Sequence, residues 1–158
     1  MIRPDDAALM RRALAIATTG MARGSGPFGA IVADAHGKVL AVAVNTVTLA
    51  SDPTAHAEVS AIRRAAARRG HWELRDCTLI TTCAPCLMCT GAIQWAGIGR
   101  VVAGARTTDA EAIGFVEGPT GFDAAAILAA RGVRYQADVE REAAVALLGA
   151  YRGPIYNG

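Results

Sequence analysis

No run of residues in this chain is long and apolar enough to cross a bilayer, because breaks such as Gly20, Arg23 and Asp34 interrupt every candidate. A secretory leader's uninterrupted apolar segment is missing too: the opening Met-Ile-Arg-Pro-Asp-Asp leads directly into an amphipathic run. There is no repeat, low-complexity tract or linker, so the 158 residues read as one domain, residues 1–158. Neither sign of charge dominates, and a net charge of +2 neither demands nor excludes a polyanionic partner. Cysteines are few, and three of the four (Cys83, Cys86 and Cys89) fall within seven positions. Without an export signal, that clustering reads as metal binding before disulfide. The expectation is a cytoplasmic protein with no membrane segment. Its 53% hydrophobic residues, many of them alanine, suffice for a core without disulfide staples.

Periodicity and punctuation divide the chain into short elements. Residues 5–19 form an amphipathic pattern with Leu9, Ala13, Ile16 and Ala17 on one side, Asp5 or Asp6 as a cap and Gly20 as a stop. Residues 28–33 and 38–45 read as strands joined by a turn at Asp34-Ala-His-Gly37. Helices are expected at 55–69, 85–96, 123–130 and 139–151, strands at 77–82, 100–105 and 133–137, and a glycine-rich loop at 107–121. A hairpin followed by alternating strands and helices argues for an α/β domain with a mixed sheet between helices.

Two segments carry chemistry: His56-Ala-Glu58 and Pro85-Cys-Leu-Met-Cys89. Imidazole and thiolate are good zinc ligands, and a catalytic zinc keeps three protein ligands plus a position for water. His56, Cys86 and Cys89 supply such a set. Cys86 and Cys89 share a face of one helical turn, with Pro85 suited to the first helical position. His56 falls in the first turn of the preceding helix, so two positive helix ends converge on one cation and two thiolates must outweigh them. Glu58, two residues past His56, points elsewhere on the helix and is free to take a proton from a bound water. The alternative is a closed structural zinc made by His56, Cys83, Cys86 and Cys89. Cys83 also reads as a buried thiol near the site, and Cys77 as a core residue.

These segments resemble the cytidine deaminase-like superfamily, specifically its guanine deaminase, cytosine deaminase and tRNA adenosine deaminase branch. Supporting stretches are Gly26-Pro-Phe-Gly-Ala30, Asp52-Pro-Thr-Ala-His-Ala-Glu58, Pro85-Cys-Leu-Met-Cys-Thr-Gly-Ala92 and Arg100-Val-Val-Ala-Gly-Ala105. The resemblance implies a three-layer α/β/α fold with a five-stranded mixed sheet, and one Zn2+ per subunit on His56, Cys86 and Cys89. It implies Glu58 as proton shuttle, Asn45 as a hydrogen-bonding contact to the base and Phe28 as an aromatic on the ring. The backbone at Ala57 and Cys86 would meet the substrate's polar edge, and the enzyme would be a homodimer or larger. Asn45 also reads as a strand-ending turn residue and Phe28 as core.

Trp95 and Glu117 match the guanine deaminase pattern, which favours a small free base of that type; each also has a plain reading, as core or subunit contact and as a solvated loop charge. The tail from Tyr151 to Gly158 departs from the aromatic-rich swapped segment of guanine deaminases. Its tyrosines either close a pocket or pack a terminus, which leaves cytosine, isocytosine or a triazine open as substrates. A tRNA substrate is disfavoured. From Ala110 onward four arginines face six acidic residues, and the cluster Arg63, Arg64, Arg68 and Arg69 reads as a solvated helix face. A protein with a purely structural zinc is the reading from another class.

Overall fold

The computed structural model describes residues 4–156. The first helix, α1 (Pro4–Met21), is followed by strands β1 (Gly29–Ala33) and β2 (Val39–Val44), then a single turn, α2 (Val47–Ala50), and the helix α3 (Ala57–Arg69). The chain continues through β3 (Thr78–Cys83), α4 (Leu87–Ala96) and β4 (Arg100–Ala105). It ends with α5 (Thr107–Glu111), α6 (Ala124–Ala129), β5 (Arg134–Gln136) and α7 (Arg141–Ala150). All five expected strands form one sheet in the order β2-β1-β3-β4-β5. β1 runs antiparallel to both β2 and β3, whereas β3, β4 and β5 are mutually parallel. Among the described residues, no helix is long and apolar enough to cross a membrane.

The sheet is covered on both faces. α1 and α7 touch each other and pack on one side, while α3, α4 and α6 pack on the other. The three central strands are accordingly buried at every position, and the edge strands β2 and β5 are not. α1 turns Met10, Ala13, Leu14 and Ala17 inward, with Leu9 and Ile16 only partly buried. It also runs one residue past Gly20, and Asp6 lies inside it rather than at its cap. The reason is tertiary: Asp6 makes a buried double bond pair with Arg100 of β4, at 2.7 and 2.6 Å. The stretch expected as loop contains α5, held by Asp109, which accepts from the Arg106 amide and from the Arg141 guanidinium on α7.

Candidate active site

Two helix starts meet above the carboxyl end of β3. His56 is the N-cap of α3 and Cys86 the N-cap of α4, one residue earlier than the spacing suggests, with Pro85 outside the helix. A cap residue has extended backbone, so its side chain is aimed across the helix end rather than along its flank. His56 makes no cap bond with its ring; its Nδ1 lies 3.5 Å from the Cys86 sulfur and 3.5 Å from the Cys89 sulfur. Cys86 Sγ accepts from the Cys89 amide at 3.4 Å, taking the role an oxygen usually has at a helix start. The three ligand atoms lie within 4.8 Å of one another, and all three residues are buried.

This arrangement fits a tetrahedral zinc. Bonds of about 2.3 Å to sulfur and about 2.0 Å to nitrogen, at a tetrahedral angle, put those atoms about 3.5 Å apart. The electrostatics agree. Burial opposes charge on His56, yet its bond to Cys86 and the charges of Glu58 and Cys86 hold its pKa at about 9. Cys86 is drawn down to about 4, chiefly by the Cys89 thiol, against its burial, and then by His56. Cys89 is pushed up by its bond to the Cys86 sulfur and by burial. The protein alone thus favours one thiolate beside one imidazolium. A second thiolate and a neutral imidazole call for a cation between them.

Glu58 sits in the first turn of α3, 5% exposed. Its Oε1 accepts from Thr81 Oγ1 at 2.9 Å and its Oε2 lies 3.5 Å from the Cys89 sulfur. Burial and the nearby Cys86 charge push its pKa up, so the carboxyl is set to hold as well as release a proton. Thr81, on β3, has a second acceptor in reach, the Cys83 carbonyl at 2.9 Å.

Of the residues expected to hold a ring, Asn45, Phe28 and Ala57 are buried and Glu117 is half-buried. Asn45 is 1% exposed, and its Oδ1 accepts from the Val47 amide at 3.1 Å, the bond of a turn residue. Phe28 is buried, edge-on to Phe115 with ring centroids 5.1 Å apart. Ala57 is fully buried directly after His56. Glu117 is half-buried; its carbonyl accepts from the Leu87 amide, and its charge bears on His56, Cys83 and Cys89. Tyr156 turns back into the same space. Its ring lies 5.0 Å from Phe115, and its buried hydroxyl has no hydrogen-bond partner among the described residues. A Cβ on Gly26 would stand 2.2 Å from that hydroxyl and 3.2 Å from Asn45 Oδ1, so a larger residue here would push the Tyr156 ring aside. Burial, then Tyr151, Glu117, Glu58 and Cys86, keep the phenol protonated.

Residues 3–105 match the family described as the cytidine and deoxycytidylate deaminase zinc-binding region. The chain belongs to that family. Guanine deaminase from Bacillus subtilis is 47% identical over 107 residues, which span 67% of this deaminase and 68% of the relative. The tRNA-specific adenosine deaminase of Haemophilus influenzae is 39% identical over 109 residues, 69% of this chain and 63% of that one. The solved guanine deaminase from Nitrosomonas europaea superposes with a TM-score of 0.86 at 35% identity, covering 94% of this chain and 84% of that chain. The three-layer fold, the zinc cofactor and a hydrolase acting on C–N bonds of cyclic amidines therefore stand.

One expected participant, Trp95, lies elsewhere in this deaminase, and Cys83 is the buried thiol it was read as. Trp95 is 84% exposed and lines a surface cavity with Trp72, to which no residue of the metal cluster contributes. At about 100° per residue it is turned half a revolution from Cys86 around the helix end. Cys83 stays out of the metal group; its thiol, pushed up chiefly by burial, lies 3.7 Å from the Arg106 carbonyl. Thr81, Phe115 and Gly26 were not legible as site residues. Thr81 and Phe115 look like ordinary strand and loop residues in sequence, and only the Gly26-Pro-Phe-Gly-Ala30 stretch carried a hint of Gly26.

Proposed function

We propose that the chain is a hydrolytic deaminase of a small free nucleobase, with a guanine-type purine as the first candidate. His56, Cys86 and Cys89 hold the zinc, which supplies the Lewis acidity that lowers the pKa of water. Glu58 passes the first proton of the attacking water to the ring nitrogen, and then the second, from the newly added hydroxyl, to the departing amine. One C–O bond forms, one C–N bond breaks, and ammonia leaves. Asn45 and Phe28 orient the ring, the backbone at Ala57 meets its polar edge, and Glu117 accepts from an amidine-like edge. Tyr156 closes the pocket, and its unpartnered hydroxyl is available to a ring heteroatom.

The observation that carries this reading is a three-ligand cluster at tetrahedral spacing with a buried, non-ligating carboxyl beside it. The chemistry needs such a cluster, whereas a closed structural zinc would take a fourth protein ligand. A guanine-type substrate is supported by the Bacillus relative and by Glu117 beside the cluster. The tRNA reading loses support because Arg64 and Arg68 bond the carbonyls of Val42 and Leu40, and Arg69 bonds Asp76. We further propose a cytoplasmic homodimer.

The test is ammonia release from guanine, cytosine, isocytosine, adenine and s-triazines, beside Glu58→Gln. Turnover of one ring class is expected, with Glu58→Gln retaining zinc and fold but losing at least a thousandfold in kcat, within the roughly 10²–10⁴ range of general acid–base catalysis. Undiminished turnover in Glu58→Gln sinks the shuttle. Silence across the panel with zinc bound moves the reading to a tRNA adenosine or to a non-catalytic zinc protein.

A further inference from the structure

Strands β3, β4 and β5 are parallel, so their carboxyl ends open on one edge of the sheet. The zinc cluster occupies the end of β3. Beyond it, at the ends of β4 and β5, lies a second hollow of about 550 Å³, to which no residue of the cluster contributes. That volume falls within the roughly 300–1,000 Å³ of small-molecule sites. Small side chains make the room. Tyr135 of β5 is in register with Val101 of β4, and residues two apart on a strand share a face. Ala103, Ala105 and Ala137 therefore lie on the Tyr135 side of the sheet, and Ala124 and Ala125 line the hollow from α6. Phe122, half-buried, forms another wall. Tyr135 makes no hydrogen bond among the described residues. Burial first, then charge at Cys83, Asp123 and Asp138, keep its phenol protonated and so a donor. Asp123 caps α6 with one oxygen, which accepts from the Ala126 amide at 3.0 Å, and its other oxygen has no partner among the described residues. Arg106 is spent on Asp138, at 2.8 and 2.7 Å. One cation among three charged lining groups leaves the rim net negative, which disfavours a phosphate or carboxylate.

We propose that this hollow is a second small-molecule site, for an uncharged flat heterocycle carrying both a ring carbonyl and a ring N–H, as a free base or a nucleoside. The alanines give a shallow apolar floor, and Phe122 and Tyr135 supply aromatic surface for a flat ring. The Tyr135 hydroxyl donates to the carbonyl, and the free oxygen of Asp123 accepts from the N–H. Thr107 and Thr108 also line the hollow, and their hydroxyls suit those of a sugar. The site adjoins the zinc cluster through two contacts. The Ala84 amide, two residues before Cys86, donates to the Ala105 carbonyl at 2.8 Å. The Phe122 ring rests against Gly118, where a Cβ would stand 2.8 Å from it, and Gly118 directly follows Glu117. An occupant that displaces Phe122 therefore moves the segment carrying Glu117, and KM at the zinc site follows. This link rests on Glu117 facing the substrate, as proposed above; the site itself does not.

NMR of the zinc-loaded protein with labelled alanine methyls tests it, using hypoxanthine as the base and inosine as the nucleoside. Neither has an exocyclic amine to lose, so neither is consumed. The ring current of a bound heterocycle should shift the methyls of Ala105, Ala124 and Ala137, saturating as ligand is added. Binding at the zinc site registers at Ala57 instead. Ala125→Leu fills the hollow and suits a helix; it should abolish the shifts while circular dichroism and zinc content stay those of the wild type. Tyr135→Phe removes the donor and should weaken binding about fivefold, the loss of one neutral hydrogen bond. Saturation by hypoxanthine alone assigns the site to a base, and saturation by inosine assigns it to a nucleoside. Shifts at Ala57 alone, no saturable shift with either ligand at millimolar concentration, or unchanged affinity in either variant overturns the site. With inosine bound, KM for ammonia release should change by about twofold or more in the wild type and not in Ala125→Leu; an unchanged KM overturns the link to Glu117. Ammonia release without inosine reports separately on the deaminase reading.

Discussion

Thr81 shows how little local sequence reveals about a residue that matters. Its hydroxyl has one proton and two acceptors, Glu58 Oε1 and the Cys83 carbonyl, both at 2.9 Å. It can donate to Glu58 when that group is ionised, and to the carbonyl while accepting from Glu58 when the group is protonated. The carboxyl is thereby held in one place through both halves of a proton transfer. Thr81→Val keeps the shape and removes the hydroxyl. Loss of one hydrogen bond to a charged group, about 1.5–3 kcal/mol, predicts a fall in kcat of roughly ten- to a hundredfold with KM little changed. Thr81→Ser should restore most of it. Steady-state kinetics of the two variants decide the matter, and a Thr81→Val kcat within twofold of wild type removes Thr81 from the mechanism.

At the scale of elements, the arginines of α3 are explained by the strand beside them. β2 is an edge of the sheet, with carbonyls that would otherwise face outward. Arg64 Nη1 donates to the Val42 carbonyl at 2.7 Å and Arg68 Nη1 to the Leu40 carbonyl at 3.1 Å, two residues apart on one side of the strand. The cluster expected as a solvated face is therefore partly a cover for an exposed edge. In the double variant Arg64→Ala, Arg68→Ala both carbonyls lose their donors. The expected outcome is about 1–2 kcal/mol of lost stability and faster concentration-dependent light scattering on warming. An unchanged urea midpoint together with unchanged scattering would show that these bonds protect nothing.

Across the whole molecule, the Asp6–Arg100 pair ties the first helix to the middle of the sheet. Side-chain exposure is 4% and 5%, and the partners are 94 residues apart. A pair so buried is costly to break on one side only, because each charge has given up its water in exchange for the other. Arg100→Met should cost about 3–5 kcal/mol in urea unfolding, and adding Asp6→Leu should recover most of that loss. If the single variant loses less than 1 kcal/mol, the pair is not the tie proposed here.

Much of this deaminase is decided within short windows of sequence. Short apolar runs mark the strands, glycine and proline divide the elements, and the spacings His56-Ala-Glu58 and Cys86-Leu-Met-Cys89 place ligands and shuttle at helix starts. These features depend on neighbours along the chain, which the sequence displays. The rest depends on partners far apart in sequence. α5 forms where a loop was expected because Arg141, 32 residues later, bonds Asp109. Phe115 and Tyr156 reach the site only because a loop and the tail fold back over Phe28 and Gly26. Trp95, by contrast, sits within a few residues of the cysteines yet is carried to the opposite surface by the turn of one helix. Chemistry at fixed spacing was written in the sequence, whereas the walls of the pocket and the place of Trp95 were decided by packing.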